Sequence, residues 1–232
     1  MLALPLIVLV GCGTLGLSFL TGKDKEADEG EHSDTGPEAL PPVDAAVEGR
    51  TWMADLAQAT VSEPEGLGAF LALMDSTAVL FHIDEEYDDT IDLVFALTGA
   101  DGHQDPCQPV LDFSGADFSG NPWLLVERTD VDLTINGQQV TLMDAQLELR
   151  IQPYGQGFLE GWMVAEIDGR ELDDALGDRI QSTVCDLLDA LGTECHACSD
   201  SSESCFFVRI EDLEGADYGG PFDPDVDPSA CN

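Results

Sequence analysis

Cysteines are the residues of this 232-residue chain with the clearest capacity for chemistry. Apart from Cys12, six remain, an even number that three disulfide bonds would satisfy in several alternative pairings. The motif Cys195-His196-Ala197-Cys198 leaves two other interpretations open: a zinc site completed by Cys185 and Cys205, or a redox pair. We favour structural disulfides, because the second Cys-x-x-Cys of zinc ribbons is missing and the motif follows a predicted helix. The six cysteines are Cys107, Cys185, Cys195, Cys198, Cys205 and Cys231.

Acidic clusters are the second group of candidate ligands. Asp223, Asp225 and Asp227 alternate near the carboxyl end and offer the hard oxygen ligands that calcium prefers. The sixth position of this stretch is Pro228 rather than the glycine of an EF-hand loop. The acidic run 84–89 is the other candidate. We expect both to be solvated loops without a cofactor, and calcium binding is the alternative.

The four histidines lie far apart in the sequence, and no nucleophile elbow, zinc-protease motif or phosphate loop accompanies them. A serine or cysteine hydrolase would have to recruit His82 or His103 across the fold. His82 alternates with apolar residues and is better explained as a sheet residue. Because residues 51–232 contain no lysine, Schiff-base and phosphate-loop mechanisms are excluded. We therefore predict no catalytic residue, and a hydrolase is the least favoured function.

The elements that must position these residues are mainly β-strands. Asn136-Gly137 lies between the alternating stretches 131–135 and 138–142 and predicts a type I′ hairpin that pairs Leu133 with Val140. Apolar residues at three- and four-residue steps predict one amphipathic helix over 171–191. The expected fold is an antiparallel β-sandwich or open barrel with this one helix, stapled by disulfides. Further strands are predicted over 77–83, 90–97, 110–113, 123–127, 145–151, 158–167 and 206–210.

The charge of the chain limits its partners. With 47 Asp and Glu against 8 Lys and Arg, the formal net charge is -39, which repels phosphate backbones and excludes nucleic-acid binding. The apolar fraction of 44% is nevertheless sufficient for a buried core. The predicted organisation is an anchor segment over 1–20, an acidic disordered tether over 21–50 and a single domain over 51–232.

An uncharged stretch, Leu2–Leu20, begins the sequence and contains Leu9-Val10-Gly11-Cys12. This motif resembles the lipobox of bacterial lipoproteins, in which the cysteine is acylated after the signal segment is removed. The resemblance implies a lipid on Cys12, a membrane as partner and, because Gly13 follows, a place in the outer membrane. An uncleaved transmembrane helix and a cleaved, soluble secreted form are the alternatives.

The carboxyl-terminal cysteine spacing resembles that of exported proteins from large-genome Gram-negative bacteria. Together with the lipobox, it implies a cell-envelope domain but no particular activity. Because no catalytic residues converge, we expect a non-catalytic binding or surface-structural role. A carrier of a small apolar ligand is the first alternative, because barrels of this size can enclose one. A calcium-dependent adhesion module is the second. The three tryptophans, Trp52, Trp123 and Trp162, are expected in the core or around such a cavity.

Overall fold

The computed structural model describes residues 40–68, 78–135, 137–177 and 180–231. The lipobox and most of the predicted tether, residues 1–39, lie outside them. The described chain contains strands, two α-helices (α1 Gly169–Leu176 and α2 Val184–Ala190) and a 3-10 helix, Pro228–Cys231. The strands are β1 Thr51–Asp55, β2 Thr60–Glu63, β3 Ala78–Glu86, β4 Thr90–Leu97, β5 Leu111–Asp117, β6 Trp123–Ile135, β7 Gln138–Ile151, β8 Gly157–Asp168, β9 His196–Ala197 and β10 Glu203–Asp217.

Eight antiparallel strands form a closed barrel in the order β1, β3, β4, β5, β6, β7, β8, β10. The ring closes between β10 and β1, where Trp52 lies opposite Asp217. The short strands β2 and β9 pair with β10 as well. The predicted mainly antiparallel β fold with disulfides is therefore confirmed, and its sheet closes into a barrel.

The hairpin between β6 and β7 has the predicted register. Ile135 pairs with Gln138 and Leu133 with Val140, so the apolar residues share the inner face. Gly137 has a φ of 80°, which a type I′ turn requires and glycine tolerates. Asn136 lies outside the described residues.

Strand β7 is longer than the sequence pattern predicts. The stretches 138–142 and 145–151 were expected as two strands, but they form one strand interrupted by a β-bulge. At the bulge Asp144 has a φ of 51°, and its backbone N–H donates to Asp130 Oδ1 at 2.9 Å. A bulge shifts the alternation of inward and outward side chains by one residue. A turn between two strands shifts the sequence pattern in the same way, so the pattern alone does not distinguish them.

The single helix predicted over 171–191 is wrong in its continuity, because α1 and α2 are separate helices. Gly177 adopts a φ of 50° and ends α1, with its N–H bonded to Asp173 O. The second helix starts afresh at Thr183, whose side chain accepts from Asp186 N. Leu176 and Leu188 are both buried, so each helix directs apolar side chains toward the core.

An aromatic cluster fills one end of the barrel. The ring of Phe158 makes edge-on contacts with Trp52 and Phe81, at centroid distances of 6.0 and 5.1 Å. Trp52 Nε1 also donates to Gly155 O at 3.0 Å, which satisfies its only polar group. A Cβ on Gly215 would lie 2.2 Å from the Phe158 ring, so this end is tightly packed.

The compact part of the chain begins before Thr51. Val47 is fully buried, and Gly49 N–H donates to Ile83 O at 2.8 Å. Asn121 exchanges hydrogen bonds with the backbone of Val43 through its side-chain amide. Residues 43–50 therefore pack on the barrel, ahead of the predicted boundary.

The residues after β10, 218–231, form a segment that we call the C-terminal strap. Its Phe222 stacks on His82 of β3, with ring centroids 4.4 Å apart. Gln104 and Asp223 exchange two hydrogen bonds of 2.8 Å, and Cys107 forms a disulfide with Cys231. The strap is thus held at three points, one on β3 and two in the loop between β4 and β5. Two further disulfides, Cys185–Cys195 and Cys198–Cys205, lie around α2 and β9.

Candidate functional site: an apolar cavity beside a parted seam

Strands β5 and β6 are barely joined. Their register contains a single pair, Asp117 with Leu125, within the described residues of these strands. On its other edge, β6 pairs with β7 along its whole length, from Trp123 to Ile135. The remainder of β5 therefore separates from β6, and we call this gap the seam.

An apolar cavity of about 90 Å³ lies inside the barrel between the two strands of the seam. Leu111 and Phe113 of β5 line one side, and Leu133 and Ile135 of β6 line the other. All four are half-buried, although they face the interior. The other walls are formed by Phe81, Phe95, Leu147, Met163 and Leu213, among others.

A second cavity of about 110 Å³ adjoins the first beneath helix α1. The two share five lining residues: Leu56, Leu133, Ile135, Leu142 and Met163. The second is closed by Leu172 and Leu176 of α1 and its lining is apolar. Gln146 is the one polar residue that lines either of these two cavities within the described chain. Such a space is suited to an apolar guest, because apolar cavities do not retain water well.

Exposed carboxylates flank the seam on its outer side. Asp112 stands between the cavity residues Leu111 and Phe113, and alternation turns it outward. At the point where the strands meet, hydrogen bonds from Ser119 lower the pKa of Asp117, so that it is ionised at neutral pH. The exposed acids of β6 are Glu127, Asp130 and Asp132.

Three histidines fall in the described residues, and they are widely separated. His82 Nδ1 lies 2.8 Å from Thr51 Oγ1, His103 Nδ1 lies 3.2 Å from Tyr218 Oη, and His196 Nε2 lies 2.9 Å from Glu166 Oε1. Burial lowers the pKa of His82, and the charge of Asp84 partly opposes this shift. The partners of the three imidazole rings are therefore a threonine, a tyrosine and a glutamate.

The three calcium candidates lie in the strap. Asp223 Oδ1 accepts from Asp225 N, and Asp227 Oδ1 accepts from Ser229 N, both at 3.0 Å. The hydrogen bonds from Ser229 also lower the pKa of Asp227. Two of the three carboxylates thus shape local turns.

The cysteines proposed for zinc or redox chemistry are bonded in two disulfides. Within the described chain, the one group with metal-ligand atoms close together is Asp168, Cys198 and Cys205, all within 4.8 Å. Its two sulfurs are bonded to each other, and Asp168 Oδ2 lies 2.5 Å from Arg170 Nη2. This pair holds the pKa of Asp168 below its ordinary value. The group is therefore a disulfide beside an aspartate that is ion-paired with Arg170.

The tryptophans do not line the cavity. Trp52 lies in the aromatic cluster, and Trp123 is half-buried at the start of β6. Trp162 faces outward, where its Nε1 donates to Glu148 Oε1 at 3.0 Å and Arg209 lies over its ring. The aromatic residues of the cavity are phenylalanines. These phenylalanines were not predicted as cavity residues. The alternation of a strand shows which side chains face inward, but not whether they contact another side chain or border a cavity.

The chain matches no protein-family model, and searches of the curated proteins and of the solved structures give no significant match. Within the described residues, no helix is long and apolar enough to cross a membrane.

Proposed function

We propose that this domain is a non-catalytic binding protein that carries a small apolar molecule inside its barrel. The observation that carries the proposal is the apolar cavity beside the seam, where Leu111 and Phe113 face Leu133 and Ile135. Ligand sites are typically concave, mostly apolar and found in the interior or mouth of a barrel. A buried apolar surface that packs imperfectly against its own chain gains free energy when a guest fills it.

The seam gives this cavity a route to the outside. Breaking one registered pair, Asp117 with Leu125, separates β5 from β6 with little loss of backbone hydrogen bonding. Loosely bonded elements of this kind open at lower free energy than the core. A guest therefore enters without unfolding the barrel.

The test is binding of an environment-sensitive apolar dye, N-phenyl-1-naphthylamine, to the full chain. The variant Leu133→Gln puts an amide into the cavity wall, and we expect it to weaken dye binding about tenfold or more. Leu191→Gln is the matched control, because Leu191 is 51% exposed and does not line the cavity. Equal dye affinity in both variants, with unchanged thermal midpoints, would contradict the proposal.

We also propose that the domain is held at the bacterial cell envelope by a lipid on Cys12. The lipobox-like Leu9-Val10-Gly11-Cys12 supports this, and the disulfides fit an oxidising compartment. Two or more acyl chains would hold the domain stably on a membrane. Cys12→Ser should release it from membranes and abolish incorporation of labelled fatty acid. Unchanged labelling would reject the anchor without affecting the binding proposal.

A further inference from the structure

The seam is apolar inside and acidic outside. Along β5, Asp112 alternates with the cavity residues Leu111 and Phe113. Along β6, Asp132 alternates in the same way with Val131 and Leu133. Because neighbouring residues of a strand point to opposite faces, each of these acids lies directly outside a wall of the cavity.

Arg128 is the one cationic residue of strands β5 and β6, all of whose residues the structure describes. Arg128 of β6 is exposed, and its Nη1 lies 3.9 Å from Asp144 Oδ2 on the side of β7. On the side of β7, Asp130 and Asp132 accept hydrogen bonds from Asp144 N and Thr141 Oγ1. With a net charge of -39 for the whole chain, the long-range field has the same sign as the local one.

A molecule with a chain in the cavity and a polar head must leave that head in water, since burying a charge without a partner is costly. The head then emerges at the seam among its carboxylates. Resting on the proposed function, we infer that the cavity selects single-chain amphiphiles with a cationic head group over those with a carboxylate. An amphiphile with an uncharged head group should bind with intermediate affinity, because the carboxylates neither attract nor repel it.

The test uses three probes of equal chain length: octylamine in its protonated form, octanol and octanoate. Each displaces N-phenyl-1-naphthylamine from the full-length protein at neutral pH. We expect octylammonium to compete about tenfold more strongly than octanoate at an ionic strength of about 0.01 M. The ratio should shrink at about 0.15 M, where the Debye length falls from about 30 to about 8 Å.

Two double variants locate the effect. Asp112→Asn with Glu127→Gln removes two exposed seam charges and should reduce the ratio about threefold. Glu203→Gln with Glu214→Gln removes the same charge from β10, across the barrel, and should leave most of the ratio intact. Both pairs are exposed, so folding is preserved and is checked by the thermal midpoint.

The outcomes separate the two proposals. Equal competition by the three octyl compounds, or stronger competition by octanoate, would overturn the inference and leave the binding proposal intact. An equal loss of selectivity in both double variants would overturn the assignment to the seam. Failure of the dye to bind, or of every octyl compound to displace it, would overturn the proposed function itself.

Discussion

The barrel wall is well paired and tightly packed on the strap side and poorly paired at the seam. On the strap side, β3 and β4 are fully paired, and their outward residues Leu80 and Ala96 are buried. The strap stacks Phe222 on His82 of β3, and a disulfide and a reciprocal hydrogen-bonded pair fix it to the loop between β4 and β5. At the seam, β5 and β6 share one registered pair, and apolar side chains border a space.

This difference separates stability from access within a single sheet. Interactions that raise the free energy of unfolding are concentrated where no guest needs to pass. Among neighbouring strands of the barrel, β5 and β6 share the fewest registered pairs within the described residues. The comparison therefore predicts that substitutions on the strap side act mainly on stability and that seam substitutions act mainly on binding.

The largest expected effect comes from opening the strap. The variant Cys107→Ser with Cys231→Ser removes a crosslink across 124 residues, which should lower the free energy of unfolding by about 5 kcal/mol. Removing the Cys198–Cys205 bond, which spans 7 residues, should cost about 2 kcal/mol by the same loop-entropy argument. Urea unfolding of both variants measures the difference. Equal losses would show that the strap does not hold the closed barrel.

Truncation of two phenylalanines sharpens the contrast between core and seam. Phe158→Ala should destabilise the fold by about 3 to 5 kcal/mol, because its ring contacts Trp52 and Phe81 in a tightly packed cluster. Phe113→Ala should cost only about 1 to 2 kcal/mol, because the half-buried ring already borders a space. Denaturant unfolding compares the two. A larger loss for Phe113→Ala would mean that the seam belongs to the core.

The strap side should also respond to acid through His82. Its pKa is lowered in the folded protein, so below about pH 6.5 the unfolded chain binds more protons and stability decreases. The full contribution is present above that pH and is lost as the pH falls toward the lowered folded value. His82→Gln should flatten this decline in the thermal midpoint between about pH 7 and about pH 5. Parallel profiles for wild type and variant would contradict the assignment.

The smallest effect is expected from calcium. Sodium chloride should raise the thermal midpoint, because screening weakens the repulsion among the acidic groups. Calcium and magnesium at matched ionic strength should add little difference, since Asp223 and Asp227 accept hydrogen bonds in local turns. Asp225→Asn should leave the response unchanged. A calcium-specific rise that disappears in this variant would restore the adhesion hypothesis.

Local features of the fold could be predicted from the sequence because their causes are local. The register of the Asn136-Gly137 hairpin followed from turn chemistry and alternation, and Thr90–Leu97 was predicted with the bounds that β4 has. The bulge at Asp144 and the break at Gly177 were missed. At Asp144 the apolar pattern fits a turn between two strands as well as a bulge. At Gly177 it fits one continuous helix as well as two separate helices.

The barrel closure and the cavity depend on residues that are far apart in the sequence. Trp52 and Asp217 become neighbours only when all strands between them are in place. Whether Phe113 meets another side chain or a space depends on how far β5 diverges from β6. Neither property has a period or a motif, so the carrier alternative was stated without the residues that line the cavity.

The position of β10 in the chain sets the order in which the molecule can be assembled. This strand pairs with β1, β2, β8 and β9. A nascent chain that extends only to Ser202 lacks β10, so the ring cannot close onto β1. During synthesis, and during passage through any export channel, the earlier segments must therefore wait as an unclosed sheet, and the barrel forms in a late step dominated by distant pairings.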